Sequence, residues 1–183
     1  MAVTAGNGGA RHGMRWRVAI WGLAALMLLT PLVAMRFTHG VNWDTADFLV
    51  FGAMLTVAGG TFELATRISG SGTYRAGAGV AIAAAFLLIW VNLAVGFIGD
   101  VGDPANLMFG GVLAVAVIGG AIVQFRPGGM ARVLAATALA QALAGVAAVG
   151  EGVVLLVPTG FFVALWLVSA ALFRRAAQDP SRV

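Results

Sequence analysis

Residues 90–109 read WVNLAVGFIGDVGDPANLMF. An apolar run carrying Asn92 ends here, a short acidic turn with Asp100 and Asp103 follows, and Pro104 opens a second apolar run. Asp before Pro is a helix-start signature. The carboxylate can cap the free N–H groups, and proline at the first helical position lacks only a donor that would have gone unpaired. The stretch therefore reads as helix, tight turn, helix. Outward from it the same alternation recurs, giving six apolar runs at 18–35, 46–66, 75–98, 106–125, 130–149 and 153–173. Each has about the 17–25 residues that a helix rising 1.5 Å per residue needs to cross a ~30 Å hydrocarbon core. Lipid offers no hydrogen bonds, so helices are the economical spanning form. The expected fold is all-α: an integral membrane helical bundle of six transmembrane helices.

Composition agrees. Hydrophobic residues make up 61% of the 183 and charged residues 10%, and the mean hydropathy is +0.97. A soluble domain carries about 25% charged residues to coat its surface. The basic residues are eleven arginines with no lysine, a usage that hints at a GC-rich bacterial genome. They stand at the ends of apolar runs rather than clustered on one face among aromatics, which argues against nucleic acid as a partner and for the lipid bilayer. There is no cysteine, which removes disulfides, thiolate nucleophiles and Cys-ligated metals.

Residues 1–17 are polar, Gly-rich and basic, and are expected to be a disordered tail; Met14 is an alternative start. A secretory signal peptide competes as a reading of Val18–Met35, but the run is long for a signal core and no clean cleavage site follows. It is read as a retained span, bent or ended near Pro31. The sixth span tolerates Pro158 because that residue sits in its first turns. Residues 174–183 form a C-terminal tail. Arg11, Arg15, Arg17, Arg67, Arg75, Arg126, Arg132, Arg174, Arg175 and Arg182 fall on one side of the six runs, and only Arg36 on the other. By the positive-inside rule both termini are expected in the cytoplasm of a bacterial inner-membrane protein.

A repeat adds to this picture. LVFGAMLTVA (49–58) and LMFGGVLAVA (107–116) agree at six of ten positions, and each is followed by Arg, a turn, Arg and an Ala-rich run. Spans 2–3 and 4–5 would then be two copies of one hairpin, although biased composition alone produces such matches.

The opening stretch, followed by GVLAVAVIGGAIVQFRPGGMARVLAATALAQ (111–141), resembles a family of uncharacterised bacterial multi-pass inner-membrane proteins. In that family an acidic turn, a Pro and Asn-Leu-Met precede a Gly-rich span, and Gly-Met-Ala-Arg opens the next. The resemblance covers about residues 40–150. It implies a multi-pass membrane protein and supplies neither an activity nor functional residues.

The candidate functional residues are Glu63, Arg67, Asn92, Asp100, Asp103, Asn106 and Gln141. Gly52, Thr56, Gly59, Glu63 and Arg67 share one helix face, either as a small-residue packing stripe with an acid–arginine pair or as a proton or cation site. Asp44, Asp47, Asp100, Asp103 and Glu151, with Asn92 and Asn106, offer oxygens to a hard cation. Asp44, Asp103 and Asn106 also occupy N-cap positions, which accounts for them without a metal. Asn92 and Gln141 lie nearest the middle of their spans, as interhelical hydrogen-bonding groups. The tryptophans lie mostly near span ends, as interfacial anchors do. His12 and His39 fall on opposite sides, so they do not jointly ligate a metal. No phosphate-binding, serine-hydrolase or zinc-protease motif is present, and no cofactor is expected. The leading expectation is a non-enzymatic membrane component or accessory subunit, acting as a homo-oligomer or with a membrane-protein partner. The alternative is a small transporter or channel subunit for a cation, proton or small solute. A membrane enzyme using Asp100 and Asp103 as acid and base ranks third.

Overall fold

The computed structural model describes residues 7–38, 40–98, 103–152 and 155–179, with the side chains of 7–16 and of Glu151 outside the description. Its elements are α1 (Asn7–Phe37), α2 (Thr45–Ile68), α3 (Gly72–Ala94), a 3₁₀ turn (Pro104–Asn106), α4 (Leu107–Ile122), α5 (Pro127–Ala147), a second 3₁₀ turn (Ala148–Glu151) and α6 (Leu156–Gln178). The protein is all-α, and its six helices are each long and apolar enough to cross a membrane. α1 starts at Asn7 rather than Val18, so helix extends through most of the stretch expected to be disordered; once a helix is nucleated, each further residue adds a hydrogen bond. It also runs through Pro31 to Phe37. Immediately before the proline, the Thr30 hydroxyl donates to the Leu26 carbonyl at 2.9 Å. α6 likewise continues to Gln178, carrying Arg174 and Arg175 into the helix.

The chain divides into two compact units, residues 1–64 and 65–183. In the first, α1 and α2 run antiparallel, with Arg17 beside Glu63, Ile20 and Trp21 beside Gly59, and Leu28 beside Gly52. The entry to α2 is a reciprocal cap. The Asp44 carboxylate accepts from the Asp47 N–H and the Asp47 carboxylate from the Asp44 N–H, both at 2.9 Å. Trp43 packs edge-on against Phe48 and Phe51.

In the second unit the helices pack in the order α4, α5, α6, α3, while α3 and α4 scarcely meet. Glycines permit the close approaches. A Cβ on Gly145 of α5 would overlap the Thr159 side chain of α6, approaching its Oγ1 to 2.6 Å and its Cβ to 2.9 Å. A Cβ on Gly77 of α3 would meet the Phe173 ring of α6 at 3.0 Å, and one on Gly119 of α4 would meet Val133 of α5 at 2.8 Å. Small residues are what helices need when lipid gives no hydrophobic drive to association and only close packing does. The core is mainly apolar, but the burial pattern departs from that of a soluble protein at both extremes. Thr137, Gln141, Thr159 and Ser169 are buried, whereas Leu107, Val117, Ile118, Ile122, Leu139 and Leu143 are exposed.

The ends of this unit differ in charge. Tyr74, at the start of α3, packs edge-on against Phe173 near the end of α6, and its hydroxyl donates to the Phe125 carbonyl in the α4–α5 connection at 3.0 Å. That places Arg75, Arg126, Arg132, Arg174 and Arg175 at one end. The same bond braces a strained turn, because Gln124 and Phe125 both take left-handed backbone conformations, at φ 53° and 55°. At the other end α3 closes at Gly96, whose φ of 75° suits glycine and whose N–H donates to the Val91 carbonyl. The unit boundary falls within α2, so the first copy of the proposed hairpin repeat is divided between units and the second lies within one. The matched Phe51 and Phe109 are both buried and the matched Leu49 and Leu107 both exposed.

Replacing Gly145 by Ala is expected to destabilise the protein by about 1–2 kcal/mol, the overpacking cost exceeding the helix-propensity gain of Ala over Gly. Gly111→Ala, where a Cβ meets nothing within 4 Å, is expected to be neutral or stabilising. Thermal unfolding in detergent micelles distinguishes the two; equal melting temperatures would contradict the packing assigned to Gly145.

Candidate functional site

The amide of Asn106 organises the connection after α3. Its Oδ1 accepts from the Phe97 N–H at 3.0 Å and the Ile98 N–H at 2.9 Å, and its Nδ2 donates to the Ile98 carbonyl at 2.9 Å. One buried side chain thus satisfies three backbone groups that leave α3 without helical partners. The expectation that Asn106 caps a helix with its side chain is corrected: it makes no cap hydrogen bond to α4 and reaches back to the Phe97–Ile98 backbone beyond the end of α3 instead. Asp103 does cap, its Oδ1 accepting from the Ala105 N–H at 2.8 Å ahead of Pro104. Phe97 stacks on Phe109 and meets Phe162 edge-on, so the connection is anchored in the apolar core as well. Asp100 lies outside the described residues, as does His39.

A second polar group lies inside the four-helix unit. Gln141 of α5 is fully buried, and neither its Oε1 nor its Nε2 has a partner among the described residues. On α6, the Thr159 hydroxyl and the Trp166 indole N–H are buried without partners among the described residues, and on α3 so is Oδ1 of Asn92. Gly145 faces Thr159 and Gly128 faces Ala177, which fixes the antiparallel register of α5 and α6. That register puts Gln141 opposite the α6 turns between Thr159 and Trp166, two residues separated by about 10 Å of helix. Asn92 does not bridge helices as expected from its depth; its Nδ2 donates within α3 to the Leu88 carbonyl at 2.9 Å. A side chain can return its donor to the preceding turn, a local bond that needs no neighbouring helix. The interhelical bond to α3 comes instead from Ser169, whose hydroxyl donates to the Gly77 carbonyl at 2.7 Å.

Sequence reasoning missed Thr159, Trp166 and Ser169, although a signal was present. Thr159, Phe162, Trp166, Ser169 and Phe173 follow spacings of three and four, and all five are buried along one face of α6. Trp166 is 1% exposed in mid-helix, so it is a core residue rather than an interfacial anchor. Reading tryptophan by type rather than by helix face concealed it.

In the first unit, Glu63 reaches α1, its Oε1 lying 3.2 Å from Nε of Arg17, an interhelical partner that intrahelical spacing does not reveal. The Gly52–Gly59–Glu63 stripe is therefore turned toward α1, and the Thr56 hydroxyl donates to the Gly52 carbonyl at 2.8 Å. Arg67, in the last turn of α2, favours the negative end of the helix dipole. Arg75 closes the same helix by donating to the Thr66 and Ser69 carbonyls, each at 3.0 Å. Among the described residues no three His, Asp or Glu gather where a metal ion would sit. Comparison of the chain with protein-family models, with curated proteins and with solved structures finds no match.

Two substitutions separate structural from spare polarity. Asn106→Leu leaves three buried backbone groups unpaired and is expected to cost several kcal/mol, at about 1–3 kcal/mol for each group. Gln141→Leu removes two already unpartnered groups and is expected to be neutral or stabilising. Unfolding midpoints in detergent test both; a strongly destabilising Gln141→Leu would show that Gln141 has a partner such as an internal water.

Proposed function

We propose that the protein is a non-enzymatic component of a bacterial inner membrane, with both termini in the cytoplasm, acting as an accessory subunit in an assembly with its own copies or with another membrane protein. The observation that carries this reading is how the polar side chains are used. Glu63 is paired with Arg17, Asn106 is committed to the Phe97–Ile98 backbone, and Asp44, Asp47 and Asp103 cap helices. A catalytic site or ion path needs groups free to meet substrate, and these are occupied. The gathering of five arginines at one end of the four-helix unit, with Asp103 at the other, supports the orientation under the positive-inside rule.

One observation favours the second reading, a subunit that passes a cation, proton or small solute. The unpartnered Gln141, Thr159, Trp166 and Asn92 groups are hydrogen-bonding capacity held inside an apolar bundle. Two measurements test these readings. A reporter enzyme active only outside the cytoplasm should be active when fused after Asp103 and silent when fused at the C-terminus; the reverse pattern would overturn the orientation. After gentle extraction, native mass spectrometry should find the chain in a complex larger than one copy. Isolated single copies that carry a proton or cation flux in liposomes, with the flux abolished by Glu63→Gln, would replace the accessory reading by the transport one.

A further inference from the structure

We propose that the arginine-rich end of the four-helix unit holds an anionic phospholipid in the groove between α5 and α6. The groove has a volume of about 550 Å³ and is lined by Gly128, Ala131, Arg132 and Ala135 from α5 and by Ala170 and Arg174 among the residues of α6. Its chemistry is two-part. Most of the walls are small side chains, glycine and alanines, which leave a trough along the two helices. The charged groups are two guanidiniums, one from each helix, and both side chains are exposed.

The two guanidiniums that line the groove are not committed elsewhere among the described residues. Arg75 at the same end is spent on the Thr66 and Ser69 carbonyls, and Arg17 in the other unit on Glu63. Among the described residues, Arg132 and Arg174 make neither a hydrogen bond nor an ion pair. Arg126 and Arg175 add charge at this end, against Asp179 alone among the described acids of this end. Guanidinium is the group best matched to phosphate, since its planar donors address two oxygens at once. A cationic groove between spanning helices at headgroup depth is complementary to a net-negative lipid, whereas a zwitterionic lipid presents its own cation. Arg132 is the sixth residue of α5 and Arg174 the fifth from the end of α6, each about one to two turns inside its helix end. With the helix ends set at the membrane–water interface, that brings both guanidiniums within reach of headgroup phosphates. The occupant that fits both parts is a phospholipid with one phosphate between the arginines and one chain along the alanines.

The site rests on the membrane reading but not on the orientation or the accessory role. The test is native mass spectrometry of the full chain in detergent, titrated with phosphatidylglycerol, phosphatidylcholine or inorganic phosphate. The expected result is retention of phosphatidylglycerol in preference to phosphatidylcholine. Each arginine is expected to contribute roughly fivefold, so Arg132→Gln with Arg174→Gln weakens phosphatidylglycerol binding about 25-fold. Ala135→Phe, which fills the groove without changing its charge, should also displace the lipid, and Arg132→Lys should restore most of the binding lost in Arg132→Gln. Unchanged phosphatidylglycerol binding in the double variant, equal retention of the two lipids, or displacement by millimolar inorganic phosphate would each overturn the proposal, the last by showing a site for free anions. A chain that stays in solution without detergent fails the membrane reading and the site together; one that enters bilayers normally but is indifferent to phosphatidylglycerol fails the site alone.

Discussion

The amide of Asn106 meets the constraint on which the rest of this structure depends, that a chain placed in lipid must satisfy its own backbone. Inside a helix each N–H finds a carbonyl four residues back, and the constraint is invisible. At a connection it becomes acute, because the last groups of one helix and the first of the next have no such partners. After α3 the chain leaves the helix at Gly96, and the next groups, the Phe97 and Ile98 N–H groups and the Ile98 carbonyl, are all taken up by one buried amide. A carboxylate has no donor for the carbonyl, and an aliphatic side chain has neither donor nor acceptor. Asparagine supplies both from one short stem.

The same logic recurs where the helices meet. Ser169 bonds to the Gly77 carbonyl, Tyr74 to that of Phe125, and Arg75 to those of Thr66 and Ser69. Polar side chains here serve mainly to settle backbone groups at the close approaches and ends that glycine makes available. Polarity in an apolar chain is thus poor evidence of chemistry until its partners are known. Glu63, the most suggestive residue by type, has a plain interhelical partner, whereas Gln141, one amide among many alanines, has none among the described residues.

Much of the architecture was legible in the sequence because its signals are local. Apolar runs of spanning length, Asp44 as a helix cap and Asp103 before Pro104 are signals carried by neighbouring residues, and the structure bears them out. What escaped depends on which helix face a residue occupies and which neighbour that face meets. Asn106 stands at the N-cap position of α4 without capping it, and only the return of the chain toward Phe97 shows why it is an amide. Trp166 looked like an anchor by type and is core by register. Arg17 lies far from Glu63 in sequence, so intrahelical spacing pointed elsewhere. The N-terminal stretch expected to be disordered continues as helix from Asn7, since composition registers polarity but not the cooperativity of a helix already begun.

The most direct test of this account is amide hydrogen exchange of the protein in nanodiscs, read at Phe97 and Ile98. These N–H groups lie beyond the end of α3 and would exchange rapidly if the connection were an open, solvated loop. The Asn106 clamp predicts slow exchange at both, close to that of the neighbouring helix, and its loss in Asn106→Leu. Rapid exchange at Phe97 and Ile98 in the wild-type protein would contradict the view that this polar turn is a structural clasp.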